Sequence, residues 1–270
     1  MTSVRTHVRR ALGRVADERE HLAEKRAALD EFGRAVRDLG VDVPNPSATR
    51  SDTPAGDAAA AAAPAVRGTE PGADRCRSVR DAFAETVRPY SVDDVETPEP
   101  LVETMRAELT DDLAAALAPG SGGQFTPMTK RAVLSAVADR KRELTVTDRA
   151  LDAEARSLRS AADEIETVVG WLVEANETPL SGLDFTELRA RHNELRGHRT
   201  LCAEVCRERQ EFLHGTTSLD ADVGITHRSL VEYAYSELSV SHPVLSTATR
   251  LIALCAECQR TVRDHLVRRV

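Results

Sequence analysis

Val137, Leu144, Leu151, Leu158, Ile165 and Leu172 recur at intervals of seven residues, and neither Gly nor Pro interrupts the chain from residue 128 to residue 169. A strict seven-residue apolar repeat is the signature of one long helix with a continuous seam along one face. The spacing predicts a helix over Thr129–Asn176, which unbroken would be on the order of 70 Å long. Thr126 or Thr129 can cap its start, just beyond Pro127. Its second seam position reads Val133, Arg140, Thr147, Glu154, Ala161, Val168 and Ala175, apolar at the ends and polar in the middle.

A seam of this kind needs a partner, and the first forty residues offer one. Val8, Val15, Leu22, Leu29 and Val36 share one heptad position, while Val4, Ala11, Phe32 and Leu39 share the other, with Glu18 and Lys25 in its middle. Two seams with polar centres suit each other, because a half-buried Glu18 or Lys25 costs least opposite Arg140 or Glu154. Gly40, Pro44 and Pro46 end this first helix.

From Val41 to Asp74 the composition shifts to Ala, Pro, Gly, Thr, Ser and Asp, with six consecutive alanines at Ala58–Ala63. No periodic apolar face is left to bury, and the stretch reads as a disordered Ala/Pro-rich linker. Periodicity resumes at Arg75–Arg88, where Val79, Phe83 and Val87 are spaced by four. A second short helix is expected over Glu99–Leu117 on the stripe Leu101, Met105, Leu109, Leu113 and Leu117. Pro119, Gly120, Gly122 and Gly123 break the chain before the long helix.

Past that helix, Thr178, Pro179, Ser181 and Gly182 make a turn, and Asp184 or Thr186 can cap a helix running to about His214. Leu188, Leu195 and Cys202 keep the seven-residue repeat there, beside Val205 and Phe212. A short connection between two long periodic helices gives an antiparallel hairpin. Ser229–Leu238 is a short apolar, helical element. Pro243 opens a final helix with the stripe Val244, Ala248, Leu251, Cys255, Cys258, Val262 and His265. The fold expected is all-α: an elongated, coiled-coil-like helical bundle built on a long antiparallel hairpin. Its parts are an N-terminal helix (1–40), a flexible linker (41–74) and a bundle domain (75–270).

Aromatic residues are only 3% of the chain, which favours helix interfaces over aromatic-lined pockets. The net charge is −8, and of 36 basic residues only Lys25, Lys130 and Lys141 are lysines. Arginine for lysine with excess Asp and Glu is the balance of a protein adapted to multimolar salt, where exposed charge pairs are screened within a few ångströms. No signal segment or membrane span is read from the sequence, so the expected address is the cytoplasm, with reduced cysteines. The acidity is concentrated between residues 41 and 127, where 15 acidic residues stand against 7 basic ones. Arg9, Arg10, Arg268 and Arg269 are too few in a net-acidic chain to read as a nucleic-acid site.

The chemical constellation that stands out is Cys202-x3-Cys206 on one helix and Cys255-x2-Cys258 on another. Four thiolates converging from two packed helices can hold zinc tetrahedrally, with His198 able to replace one of them. Both pairs also lie on apolar stripes, where cysteine serves as a small hydrophobe, and the regular seams favour that packing role over metal or redox chemistry. Cys76 reads as packing too. No phosphate loop, nucleophile elbow or His-Glu-x-x-His helix is present, and no catalytic residue or cofactor is assigned. His192, His198 and His214 among Glu194, Glu204 and Glu211 look like a solvated helix face, the Asp93–Asp94–Glu96 cluster like a solvated loop, and Trp171 like core or interface.

The phrases Cys76-Arg77-Ser78-Val79-Arg80-Asp81-Ala82-Phe83-Ala84-Glu85-Thr86, Glu177-Thr178-Pro179-Leu180, His242-Pro243-Val244-Leu245 and Cys255-Ala256-Glu257-Cys258-Gln259-Arg260 resemble an uncharacterised, helix-rich protein family of haloarchaea. The resemblance extends over nearly the whole chain and is weakest in the linker. It implies a haloarchaeal, cytoplasmic origin and supplies no activity, ligand or residue role. The function expected is that of a non-enzymatic helical interaction or scaffold protein, acting through coiled-coil surfaces on a protein partner or a second copy. The alternative is a metal- or redox-responsive regulator using Cys202, Cys206, Cys255 and Cys258.

Overall fold

The computed structural model describes residues 6–41, 71–91, 100–215 and 227–269. Among them are eight α-helices and no strand: α1 (His7–Asp38), α2 (Pro71–Thr86), α3 (Leu101–Glu108), α4 (Asp111–Leu117), α5 (Pro127–Asn176), α6 (Phe185–Gly215), α7 (His227–Ala234) and α8 (Pro243–Val267). The protein is all-α. The expected linker lies outside the described residues as far as residue 70, and α2 starts at Pro71, four residues before the apolar periodicity begins. Proline suits a first helical position because its missing N–H has no partner to lose there.

The chain divides into two compact units, one made of Met1–Glu20 with Thr145–Val270 and the other of His21–Leu144. Both α1 and α5 contribute a length of helix to each.

In the 21–144 unit, α1 runs antiparallel to the first part of α5. Lys130 Nζ donates to the carbonyls of Arg37 and Leu39 at 2.5 and 2.7 Å, so its charge sits at the negative end of α1. Lys141 pairs with Asp30, and Gly33 brings the α1 backbone close to Val137. The core combines Leu29, Phe32 and Val36 with Val79, Phe83, Met105, Leu117 and Val133. Phe32 meets Phe83 edge to face at 5.4 Å between ring centroids.

The helix expected over Glu99–Leu117 is two helices. The chain leaves the helical conformation at Leu109, and Thr110 is extended, its hydroxyl accepting the Leu113 N–H at 3.2 Å. Thr110 followed by Asp111 and Asp112 is a helix start, cap and acidic first turn together. The four-residue stripe conceals the break because Met105, Leu113 and Leu117 are buried on both sides of it. After α4, Gly120 and Gly122 take positive φ, +79° and +66°, which side chains with a Cβ rarely adopt. Thr126 then caps α5 by accepting the Thr129 N–H at 3.1 Å.

In the other unit, the start of α1 runs antiparallel to the later part of α5: Arg19 bonds Asp148 and Asp152, each at 3.0 Å, and Arg9 pairs with Glu166. Val8, Ala11 and Val15 are buried, as are Leu151, Leu158 and Ile165. The turn after α5 returns the chain as α6, whose start carries a reciprocal capping box. Asp184 accepts the Glu187 N–H at 2.8 Å and Glu187 accepts the Asp184 N–H at 2.7 Å. α8 packs antiparallel on α6, fixed by Gln259, whose amide donates to the His192 carbonyl at 3.0 Å and accepts from Arg199 at 2.8 Å.

The polar centres of the two seams do not pair with each other directly. Lys25 and Arg140 are both cations, so facing each other they would repel. A third helix resolves this: Glu108 of α3 accepts Lys25 at 2.5 Å on one oxygen and Arg140 at 3.0 Å on the other. Glu154 is matched elsewhere, by α6. No helix among the described residues is long and apolar enough to cross a membrane.

Candidate functional site

The four cysteines lie on α6 and α8. Cys202 and Cys255 are buried, while Cys206 and Cys258, about one turn away on their own helices, are half-buried. Cys202 and Cys255 are thus the buried cysteines of two helices that pack antiparallel on each other. Burial is the main cause that pushes Cys202 up to about 11, and it raises the other three thiols as well. A thiol held protonated in this way behaves as a small apolar group. Among the described residues no group of three or more His, Cys, Asp or Glu side chains is arranged to hold a metal ion.

His198 is turned toward α5, with its ring against Trp171 at 4.8 Å between centroids. Its Nε2 is buried with no hydrogen-bond partner. Cys76 is buried and its thiol donates to the Gly123 carbonyl at 3.5 Å.

The most heavily buried chemistry in the 1–20/145–270 unit involves Glu154, Arg209 and Tyr235. Arg209 donates from Nη2 to Glu154 Oε1 at 2.6 Å and from Nη1 to Oε2 at 3.0 Å, and also to Ser157 Oγ at 2.9 Å. The Tyr235 hydroxyl donates to the same carboxylate. Glu154 is 1% exposed and Arg209 5%. Burial and the Glu154 charge push the Tyr235 phenol far above its ordinary range, so it stays a donor. Arg209 also lies over the Phe212 ring at 5.2 Å. A cleft of about 210 Å³ opens beside this group, lined by Ser157, Ser160, Glu164, Val205 and Phe212.

Sequence reasoning identified Glu154 as a polar seam residue and missed both partners. The signal for Arg209 was available, since Leu188, Leu195, Cys202 and Arg209 continue one seven-residue repeat. Tyr235 sits just past α7 and carries no comparable pattern.

A second cleft, of about 290 Å³, lies where α5, α6 and α8 meet near the hairpin turn. Trp171, Leu172, Ala175, Leu195 and Val262 line it, together with the polar residues Asn176, Thr178, Arg191, Cys258 and Thr261. Arg191 is engaged with the turn itself, donating to the Thr178 carbonyl at 3.1 Å. The cleft is mainly apolar, and its one cation is already bonded to the turn.

Helices paired through apolar seams, with ionised groups buried at chosen levels of those seams, define the class: an all-α protein. The chain belongs to the family described as a domain of unknown function, DUF7260, whose model matches residues 6–259. No curated protein and no solved structure matches it.

Proposed function

We propose that this is a non-enzymatic interaction or scaffold protein that presents helix surfaces, coiled-coil fashion, to a protein partner, in the cytoplasm of a haloarchaeon. The observation that carries the reading is the placement of Glu154–Arg209 and of Lys25–Glu108–Arg140 inside otherwise apolar helix packing. Buried ion pairs add little stability over apolar residues, but they penalise every other register, which is what a surface with fixed geometry requires. The scarcity of lysine supports the high-salt setting.

The test is sedimentation of the full chain at multimolar salt, with and without cross-linking of native-host extract. Self-association, or a stoichiometric cross-linked protein, is expected. A strictly monomeric chain with no stoichiometric partner would overturn the reading.

The metal- or redox-responsive reading rests on the placing of Cys202, Cys206, Cys255 and Cys258 on two helices packed against each other. It requires zinc or a mild oxidant to raise the melting temperature, and Cys202→Ser and Cys258→Ser each to abolish the rise. Identical melting with and without these additions eliminates it.

A further inference from the structure

Along the outer groove between α6 and α8, on the side away from α5, the side chains are cationic. The two bonds of Gln259 to His192 and Arg199 fix which helix stripes border this groove. By helical spacing Arg189, Arg196 and Arg199 lie along its α6 wall and Arg263 on its α8 wall, and all four are exposed. None has a carboxylate within ion-pairing distance among the described residues; Arg199 is bonded to the neutral Gln259. The acidic residues of both helices fall on other faces: Glu187 and Glu194 toward the hairpin turn, Glu204, Glu208 and Glu211 on the far side of α6, Glu257 and Asp264 on the far side of α8. A run of arginines without carboxylate partners in a chain of net charge −8 is a local reversal of sign.

Apolar side chains flank the cationic stretch. Phe185, 47% exposed, and Val267, 71% exposed, stand at the end near the start of α6. Ala203 and Ile252 follow at the other end. From residue 185 to residue 203 the groove is about 27 Å long, or about five helical turns, with the cations over its middle turns.

We propose that this groove is a docking site for an amphipathic helix of a partner protein, one carrying Asp or Glu over its middle turns and apolar residues at both ends. This deepens the interaction reading above and rests on it. Between a docked helix and the groove, Arg–carboxylate bonds at contact distance are shielded from the salt that screens exposed charges, and this complementarity selects the occupant. A second copy using the same face would set four arginines against four. A nucleic acid would leave the exposed Phe185 and Val267 wet.

The test uses the full chain and a fluorescent synthetic helix with leucines at both ends and glutamates in the middle turns, followed by anisotropy. Controls are a peptide with lysine in place of each glutamate and a DNA duplex. Binding of the acidic peptide, weakened about tenfold or more by Arg189→Glu/Arg196→Glu/Arg263→Glu and less by the matching Gln variant, supports the proposal. Unchanged melting temperatures establish that both variants are folded. Failure of the acidic peptide to bind, equal binding by wild type and the Glu variant, or preference for the duplex overturns it. Cross-linked partners that attach equally to wild type and the Glu variant defeat the groove while leaving the general interaction reading intact.

Discussion

Arg209 holds both oxygens of Glu154, at 2.6 and 3.0 Å, deep in the contact between α5 and α6. Removing one partner strands the other as an uncompensated buried charge. Arg209→Met is therefore expected to destabilise the chain by about 3–5 kcal/mol in urea unfolding, whereas a double change of Glu154 and Arg209 to apolar residues of similar volume should cost far less. A double-variant loss equal to the sum of the two single losses would show that the two residues are not coupled.

Tyr235 donates a third bond to that carboxylate. Tyr235→Phe removes only the hydroxyl, and a hydrogen bond to a charged acceptor is worth about 1.5–3 kcal/mol. The loss should vanish in a Glu154→Leu background, as a double-mutant cycle would report.

Glu108 links stability to pH in the 21–144 unit. Burial by itself raises its pKa, but the bonds and charges of Lys25 and Arg140 outweigh burial and hold the folded carboxyl below its ordinary value. A depressed folded pKa means that its contribution is complete above the unfolded carboxyl value, about 4.3, and is lost as pH falls through the folded value. Melting temperatures measured from pH 6 downward should therefore decline less steeply for Glu108→Gln than for wild type. Parallel curves would refute the linkage.

Two glycines should respond oppositely to alanine. At Gly123 an added Cβ would lie 2.4 Å from the Ala116 carbonyl oxygen, so the loop must shift, at about 1–3 kcal/mol. At Gly197, inside α6, nothing lies within 4 Å, and alanine should stabilise by about 0.5–1 kcal/mol. Thermal melts of the two variants give the signs directly.

Thiol footprinting at pH 8 should separate the cysteines by environment. Cys202, pushed up to about 11, and buried Cys255 are expected to alkylate slowly, and half-buried Cys206 and Cys258 faster. Rapid modification of Cys202 in the folded chain would contradict its burial.

The long helix was legible because its determinants are local. An uninterrupted seven-residue repeat, a capping threonine and the absence of Gly and Pro from residue 128 to residue 169 act within a few residues of chain, and α5 begins and ends within two residues of the expected limits. The hairpin turn and α6 were legible for the same reason, through Pro179, Gly182 and the Asp184 cap. The break at Thr110 was present in the sequence but masked, since an apolar stripe at steps of four continues across it.

What the sequence by itself determined is the all-α class, the helix seams, and the fact that each seam carries charge in its middle. Only the tertiary structure decided where those charges go. Lys25 and Arg140 share Glu108 from a short third helix, and Glu154 is matched by Arg209 and Tyr235, 55 and 81 residues away. Helical periodicity is a property of neighbouring residues, whereas the partner of a buried charge depends on which helices the packing brings together.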